Sequence, residues 1–137
     1  MKVYISISKE SRNHKELEAL SIRIYSELTK QGHEVLCSYN LSNGKVMPNH
    51  EKLKFIQSEI KKSKAFILLL DEPSLRCGSE LGFSLALAGK RDLYVVYKRK
   101  DKLEEFISAY PFKRMIEWHS DEHVIQNIAR ALCQEKK

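Results

Sequence analysis

The sequence predicts an α/β domain built on a five-stranded parallel sheet covered by helices on both faces. Two observations carry that prediction. Short apolar runs alternate regularly with segments of helical period along the whole chain. Two of those runs, AFILLL and LYVVY, are apolar on consecutive residues, as expected of strands buried from both sides.

Each element has its own local reason. Val3–Ile7 has a β-rich, alternating composition and is the expected first strand. Ser11–Gln31 follows as a helix, with Leu17, Leu20, Ile24 and Leu28 at helical spacing and Gly32 placed to end it. Glu34–Cys37 is a short second strand, and Tyr39–Asn49, with Asn43-Gly44 and Met47-Pro48, is a turn-rich loop. Glu51–Lys62 is expected to be helical, with Leu53, Ile56 and Ile60 on one face. Ala65–Leu70 is the third strand, and Gly78–Ala88 a helix closed by Gly89. Leu93–Tyr97 is the fourth strand, followed by a helix around Lys102–Tyr110. Met115–Trp118 is the fifth strand, and Asp121–Cys133 a last helix with Val124, Ile128 and Leu132 as its apolar stripe. Right-handed crossovers then favour a flavodoxin-like (Rossmann-like) three-layer fold with strand order 2-1-3-4-5. The 137 residues are expected to form a single domain, 1–137, without repeat, linker or low-complexity segment.

Composition narrows the function classes. At 42% hydrophobic and 31% charged the chain reads as globular rather than disordered. Its apolar runs are too short to span a bilayer, and MKVYISISKES lacks the apolar core of a signal peptide, so a cytoplasmic, non-membrane protein is expected. The three cysteines, Cys37, Cys77 and Cys133, are far apart and read as free thiols. No histidine pair has metal-ligand spacing within one element; His119 and His123 straddle a strand-to-helix boundary, so no metal is expected. The net charge of +6 comes from clusters such as Lys61, Lys62 and Lys64 and the run KRKDK. Without interleaved aromatics or a nucleic-acid motif, these read as a solvated surface, and a nucleic-acid partner is not expected.

The chemistry concentrates in Asp71–Lys90, DEPSLRCGSELGFSLALAGK, directly after the third strand. Pro73, Ser74 and Gly78 suit a turn and a helix start, and Glu80 falls in the first helical turn, beside the carboxyl end of the strand. In open α/β sheets that crevice is where ligands bind. By itself Glu80 serves equally as an acid complementing a helix N-terminus. The predicted strand order puts the switch point between strands one and three. Ser6, Ser8, Lys9, Ser11 and Arg12 then converge with Ser74 and the amides near Gly78 on a candidate anion site. Tyr4, on the first strand, is placed either to stack on a base or to pack in the core. Trp118 reads as packing.

These residues carry a resemblance. Pro73-Ser74-Leu75, Gly78, Glu80-Leu81-Gly82 and Ala86 through Gly89-Lys90 resemble the nucleoside 2-deoxyribosyltransferase superfamily, with spacing nearest to its 2′-deoxynucleoside 5′-monophosphate N-glycosidases. The resemblance implies a flavodoxin-like fold, a dimer or larger homo-oligomer, no cofactor or metal, and a nucleoside or nucleotide substrate. It implies that Glu80 attacks the anomeric carbon and displaces the base, while Ser74 and the amides near Gly78 hold the 5′ end. Such chemistry passes through an oxocarbenium-like state that a carboxylate can capture, before water or a second base resolves the intermediate. Family members carry a second acid on the helix before the third strand. Ile56 stands at that position here, leaving Asp71 and Glu59 as the carboxylates available to assist the leaving base. The first loop, SISKESR, lacks the family's glycines, and Glu104, Glu105 and Ser108 occupy the region where a neighbouring subunit completes the site.

The strand VYISIS, the loop NLSNGKVM and Cys77-Gly78-Ser79-Glu80-Leu81 also resemble Toll/interleukin-receptor domains. That resemblance implies either cleavage of NAD, again through Glu80, or assembly of signalling complexes. A catalytically silent nucleotide-binding module is the third reading.

Overall fold

The computed structural model describes residues 1–7, 14–37, 49–70, 92–98 and 112–134. In chain order the elements are β1 (Lys2–Ile7), α1 (His14–Lys30), β2 (Glu34–Cys37), α2 (Asn49–Lys62), β3 (Ala65–Leu70), β4 (Asp92–Tyr97), β5 (Arg114–Glu117) and α3 (Asp121–Gln134). The strands form one five-stranded sheet in the order β2-β1-β3-β4-β5, every neighbouring pair parallel. This is the flavodoxin-like α/β fold that the alternating pattern predicts. The helices expected at Gly78–Ala88 and Lys102–Tyr110 lie outside the described residues.

Strand alternation sorts the core into two layers. Val3, Ile5 and Ile7 of β1, with Ala65, Ile67 and Leu69 of β3, pack beneath α1 and α3. The helices answer with Leu17, Leu20, Ile24 and Leu28, and with Val124, Ile128, Ala131 and Leu132. On the opposite face Tyr4, Phe66, Leu68, Leu70, Leu93 and Val95 pack with Ile56 and Ile60 of α2. β3 is therefore buried at all six positions, which is why it reads AFILLL without a polar residue. The apolar stripe of α2 is narrower than its periodicity predicts. Leu53 remains 55% exposed, because nothing among the described residues covers that part of the helix.

Helix ends follow from local chemistry. Gly32 adopts φ +88°, His33 N donates to Leu28 O at 3.0 Å, and Gly32 N donates to Thr29 O at 3.0 Å. That pair of bonds satisfies the last carbonyls of α1 and needs a left-handed residue at position 32. Ser63 Oγ donates to Glu59 O at 2.7 Å, closing α2 in the same spirit. The fifth strand stops one residue earlier than expected. Trp118 N still donates to Tyr97 O at 2.7 Å, but His119 N turns back to Glu117 O at 3.1 Å, starting the turn into α3.

Two substitutions separate backbone from packing. Gly32→Ala meets no atom within 4 Å of its new Cβ, so its cost is backbone strain alone, about 1–2 kcal/mol. Phe66→Ala empties a fully buried site and should cost about 3–5 kcal/mol. Urea unfolding of both variants is expected to return that order.

Candidate functional site at the carboxyl edge of the sheet

The chain passes from β1 outward to β2 and then returns across β1 to β3, so the strand order reverses between β1 and β3. These two strands end side by side, with Ile7 opposite Leu69. That edge is the crevice in which ligands of open α/β sheets are held. Asp71 follows Leu70 directly, and residue 8 follows Ile7, so both segments singled out in the sequence leave the sheet at this one place. Ser8, Arg12, Asp71, Ser74, Gly78 and Glu80 themselves lie outside the described residues.

Two candidates on β1 are placed. Tyr4 is fully buried, its ring stacked on Phe66 with centroids 5.7 Å apart and planes 16° from parallel. It sits three residues before the strand end, roughly 10 Å from the edge at about 3.3 Å per residue. Its place is the core, one of the two roles the sequence left open, rather than a stacking surface for a base. Ser6 is also fully buried, on the same face as Tyr4 and opposite Leu68, one residue from the edge.

The second-acid candidate on α2 is corrected by direction. A crossover helix runs back against its strands, so the C-terminal turn of α2 lies at the amino edge of the sheet. There Glu59 pairs with Lys2, the first residue of β1. Both side chains are mostly buried, at 12% and 19% exposed, and Lys2 also reaches Glu34 at 3.9 Å. The crevice lies at the other end of β1, roughly 16 Å away. Ile56 is buried in the same cluster as Tyr4. Where the family resemblance leads one to expect a carboxylate, this chain has core packing.

Along the same carboxyl edge the structure brings together residues that sequence reasoning did not connect. A cleft of about 310 Å³ is bounded by Glu16 and Ala19 of α1, by Lys98 just after β4, and by the turn Trp118–Asp121. Lys98 Nζ donates to Glu16 Oε2 at 2.9 Å and lies 5.1 Å from the centre of the Trp118 ring. Trp118 Nε1 donates to Asp121 Oδ1 at 2.9 Å, and Asp121 Oδ2 accepts from Arg23 Nη1 at 3.2 Å. Arg23 also pairs with Glu122. The hydrogen bond that Arg23 donates to Glu122 raises the guanidinium pKa above its ordinary value; desolvation opposes it, and the weaker effect of the bond to Asp121 adds to the rise. Ser120 caps α3, its Oγ accepting from His123 N at 3.1 Å. The legible signal was Trp118 standing at a strand-to-helix junction, followed by a Ser-Asp-Glu helix start. Nothing in the sequence reports that Lys98 and Glu16, 82 residues apart, meet over that ring.

The same turn brings the rings of His119 and His123 to 5.4 Å, edge to face, with Glu117 3.5 Å from His119 Nε2. Among the described residues no group of three histidine, cysteine or carboxylate side chains is arranged to hold a metal. No helix among them is long and apolar enough to cross a membrane.

No protein-family model matches the chain, and no curated protein matches it in sequence. Solved structures do match in fold. A CMP N-glycosidase of Clostridium botulinum, BcmB, superposes with a TM-score of 0.71 at 14% identity, over 95% of this chain and 99% of its own. A 2-deoxyribosyltransferase of the psychrotolerant Bacillus psychrosaccharolyticus gives 0.71 at 15% identity, over 91% and 90%. A conserved protein of Enterococcus faecalis V583 gives 0.64 at 14% identity, over 96% and 98%. At these identities the likeness is one of fold. Two of the three carry the activities that the Asp71–Lys90 resemblance leads one to expect.

The turn that carries Trp118 can be tested through its cap. Ser120→Ala removes the acceptor for His123 N and should cost about 0.5–2 kcal/mol. Neutralising the exposed Lys98–Glu16 ion pair with Glu16→Gln should cost no more than about 1 kcal/mol. Thermal melts of the two variants check both values.

Proposed function

We propose that this protein cleaves or transfers at the N-glycosidic bond of a nucleoside or nucleotide, with Glu80 as nucleophile. One observation carries the reading. The segment Asp71–Lys90 begins directly at the end of β3, beside β1. That is the switch point of a fold shared with an N-glycosidase and a deoxyribosyltransferase. The segment's resemblance to the same superfamily was legible from the sequence alone, so two independent lines meet on it.

In this reading the Glu80 carboxylate forms a bond to the anomeric carbon as the bond from that carbon to the base nitrogen breaks. The departing base takes the electron pair and is assisted by a proton or hydrogen bond from Asp71, the acid candidate at the crevice. Water or a second base then attacks the same carbon and releases Glu80, giving hydrolysis or transfer. Ser74 and the amides near Gly78, with Ser8 and Arg12, hold the 5′ end; Ser6 contributes from the strand end. The buried Ile56 and the committed Glu59 support Asp71 as the acid by removing the other two positions. By the same resemblance the protein works as a homo-oligomer without metal or cofactor, and the composition of the chain is what suggests the cytoplasm.

The test is release of free base, followed chromatographically, from deoxynucleosides, their 5′-monophosphates and NAD. Base is expected from a deoxynucleoside or its monophosphate, with Glu80→Ala slower by about a thousandfold or more. Nicotinamide from NAD instead would carry the chain to the Toll/interleukin-receptor reading. Silence with every substrate, or release that Glu80→Ala leaves unchanged, overturns the assignment.

A further inference from the structure

We propose that the cleft between α1 and the β5–α3 turn binds a nucleobase, with Trp118 as the stacking platform and Glu16 and Lys98 reading the base edge. The inference takes its place in catalysis from the reading above, while the binding itself stands apart from it.

The platform is more constrained than packing alone requires. Trp118 is half-buried against the α1–α3 core. Its ring is oriented by Nε1 donating to Asp121, which Arg23 holds in turn from α1. An indole fixed in this way loses little freedom when a planar ring lies on it. The Lys98 ammonium sits over the ring, 2.9 Å from the Glu16 carboxylate, and the pair presents one donor and one acceptor. That is the complement of the adjacent acceptor and donor on the Watson–Crick edge of a base. The pair is exposed, 38% and 56%, so exchanging its mutual contact for a base edge costs little. Lys98 covers the indole from 5.1 Å. Stacking a base strengthens binding by roughly five- to a hundredfold, against roughly two- to fivefold for an exposed cation–π contact. The base therefore wins the face.

Size and charge fit the same ligand. The cleft holds about 310 Å³, at the small end of ligand pockets, and Ala19 keeps its wall low. Glu16 and Asp121 disfavour a phosphate, and the His123 amide at the start of α3 is already capped by Ser120. Leu70 is paired with Tyr97, so Lys98 leaves the sheet about 4.8 Å, one strand spacing, from where the Asp71–Lys90 segment begins. A base in the cleft lies beside the crevice assigned to the sugar.

Trp118 is the chain's one tryptophan, so its emission reports this cleft and nothing else. Adenosine, guanosine, cytidine and uridine are titrated in turn, with excitation at the red edge of the indole band. Saturable quenching by at least one is expected in wild type. Lys98→Met and Glu16→Met should each raise the Kd roughly three- to tenfold, and inorganic phosphate should leave the emission unchanged. Both substituted side chains are exposed, so both variants are expected to melt close to wild type. No saturable change with any nucleoside, quenching untouched by both variants, or competition by phosphate overturns the proposal. Quenching in a protein that releases no base keeps the cleft and sinks the glycosidase reading; turnover without quenching does the reverse.

Discussion

Everything in this molecule hangs on the burial of β3 from both sides. Its backbone is satisfied by parallel pairing with β1 and β4, and its six side chains alternate into two separate apolar layers. A strand in that position can carry no charge on either face without a partner. It therefore forces helices onto both faces, and parallel neighbours force each connection to travel the length of the sheet. Once β3 is central, α1 and α3 must cover one face and α2 the other.

That architecture gives the two ends of the sheet different chemistry. At the amino edge, charges are spent on holding the frame together: Lys2 is shared between Glu59 and Glu34, and Lys113 lies 3.7 Å from Asp92. At the carboxyl edge, charges lie around open space. Lys98, Glu16 and Asp121 surround a half-buried indole rather than a packed strand end. A nearly buried pair such as Lys2–Glu59 leaves an uncompensated charge when one partner is lost. The exposed pair at the other edge is free to exchange partners with a ligand. The asymmetry separates structural from functional electrostatics along a distance of one strand.

The same geometry explains why Glu59 is not the acid its sequence position invites. Within a crossover helix, moving by one turn carries a side chain about 5.4 Å along the axis, away from the ligand edge. Ile56 and Ile60 are spent on the core, and Glu59, between them in sequence, meets Lys2 at the far end. In the proposed mechanism the leaving-group role is therefore assigned to Asp71, the carboxylate that follows β3 in sequence.

The strands, three of the helices and the strand order were legible in the sequence, because each rests on a local period that burial enforces. Leu17, Leu20, Ile24 and Leu28 repeat at helical spacing, and AFILLL runs unbroken. Gly32 was legible as a helix end because a positive φ is a property of one residue and its neighbours. The motif around Glu80 was legible as a resemblance, since its residue types and spacing are local too; its residues lie outside those described. Tertiary structure alone decided which of two roles Tyr4 takes, that Leu53 stays exposed, that Glu59 faces the wrong edge, and that Lys98 and Glu16 meet over Trp118. Each of those depends on what approaches from a distant part of the chain, and periodicity records only the side a residue faces, not what it meets there.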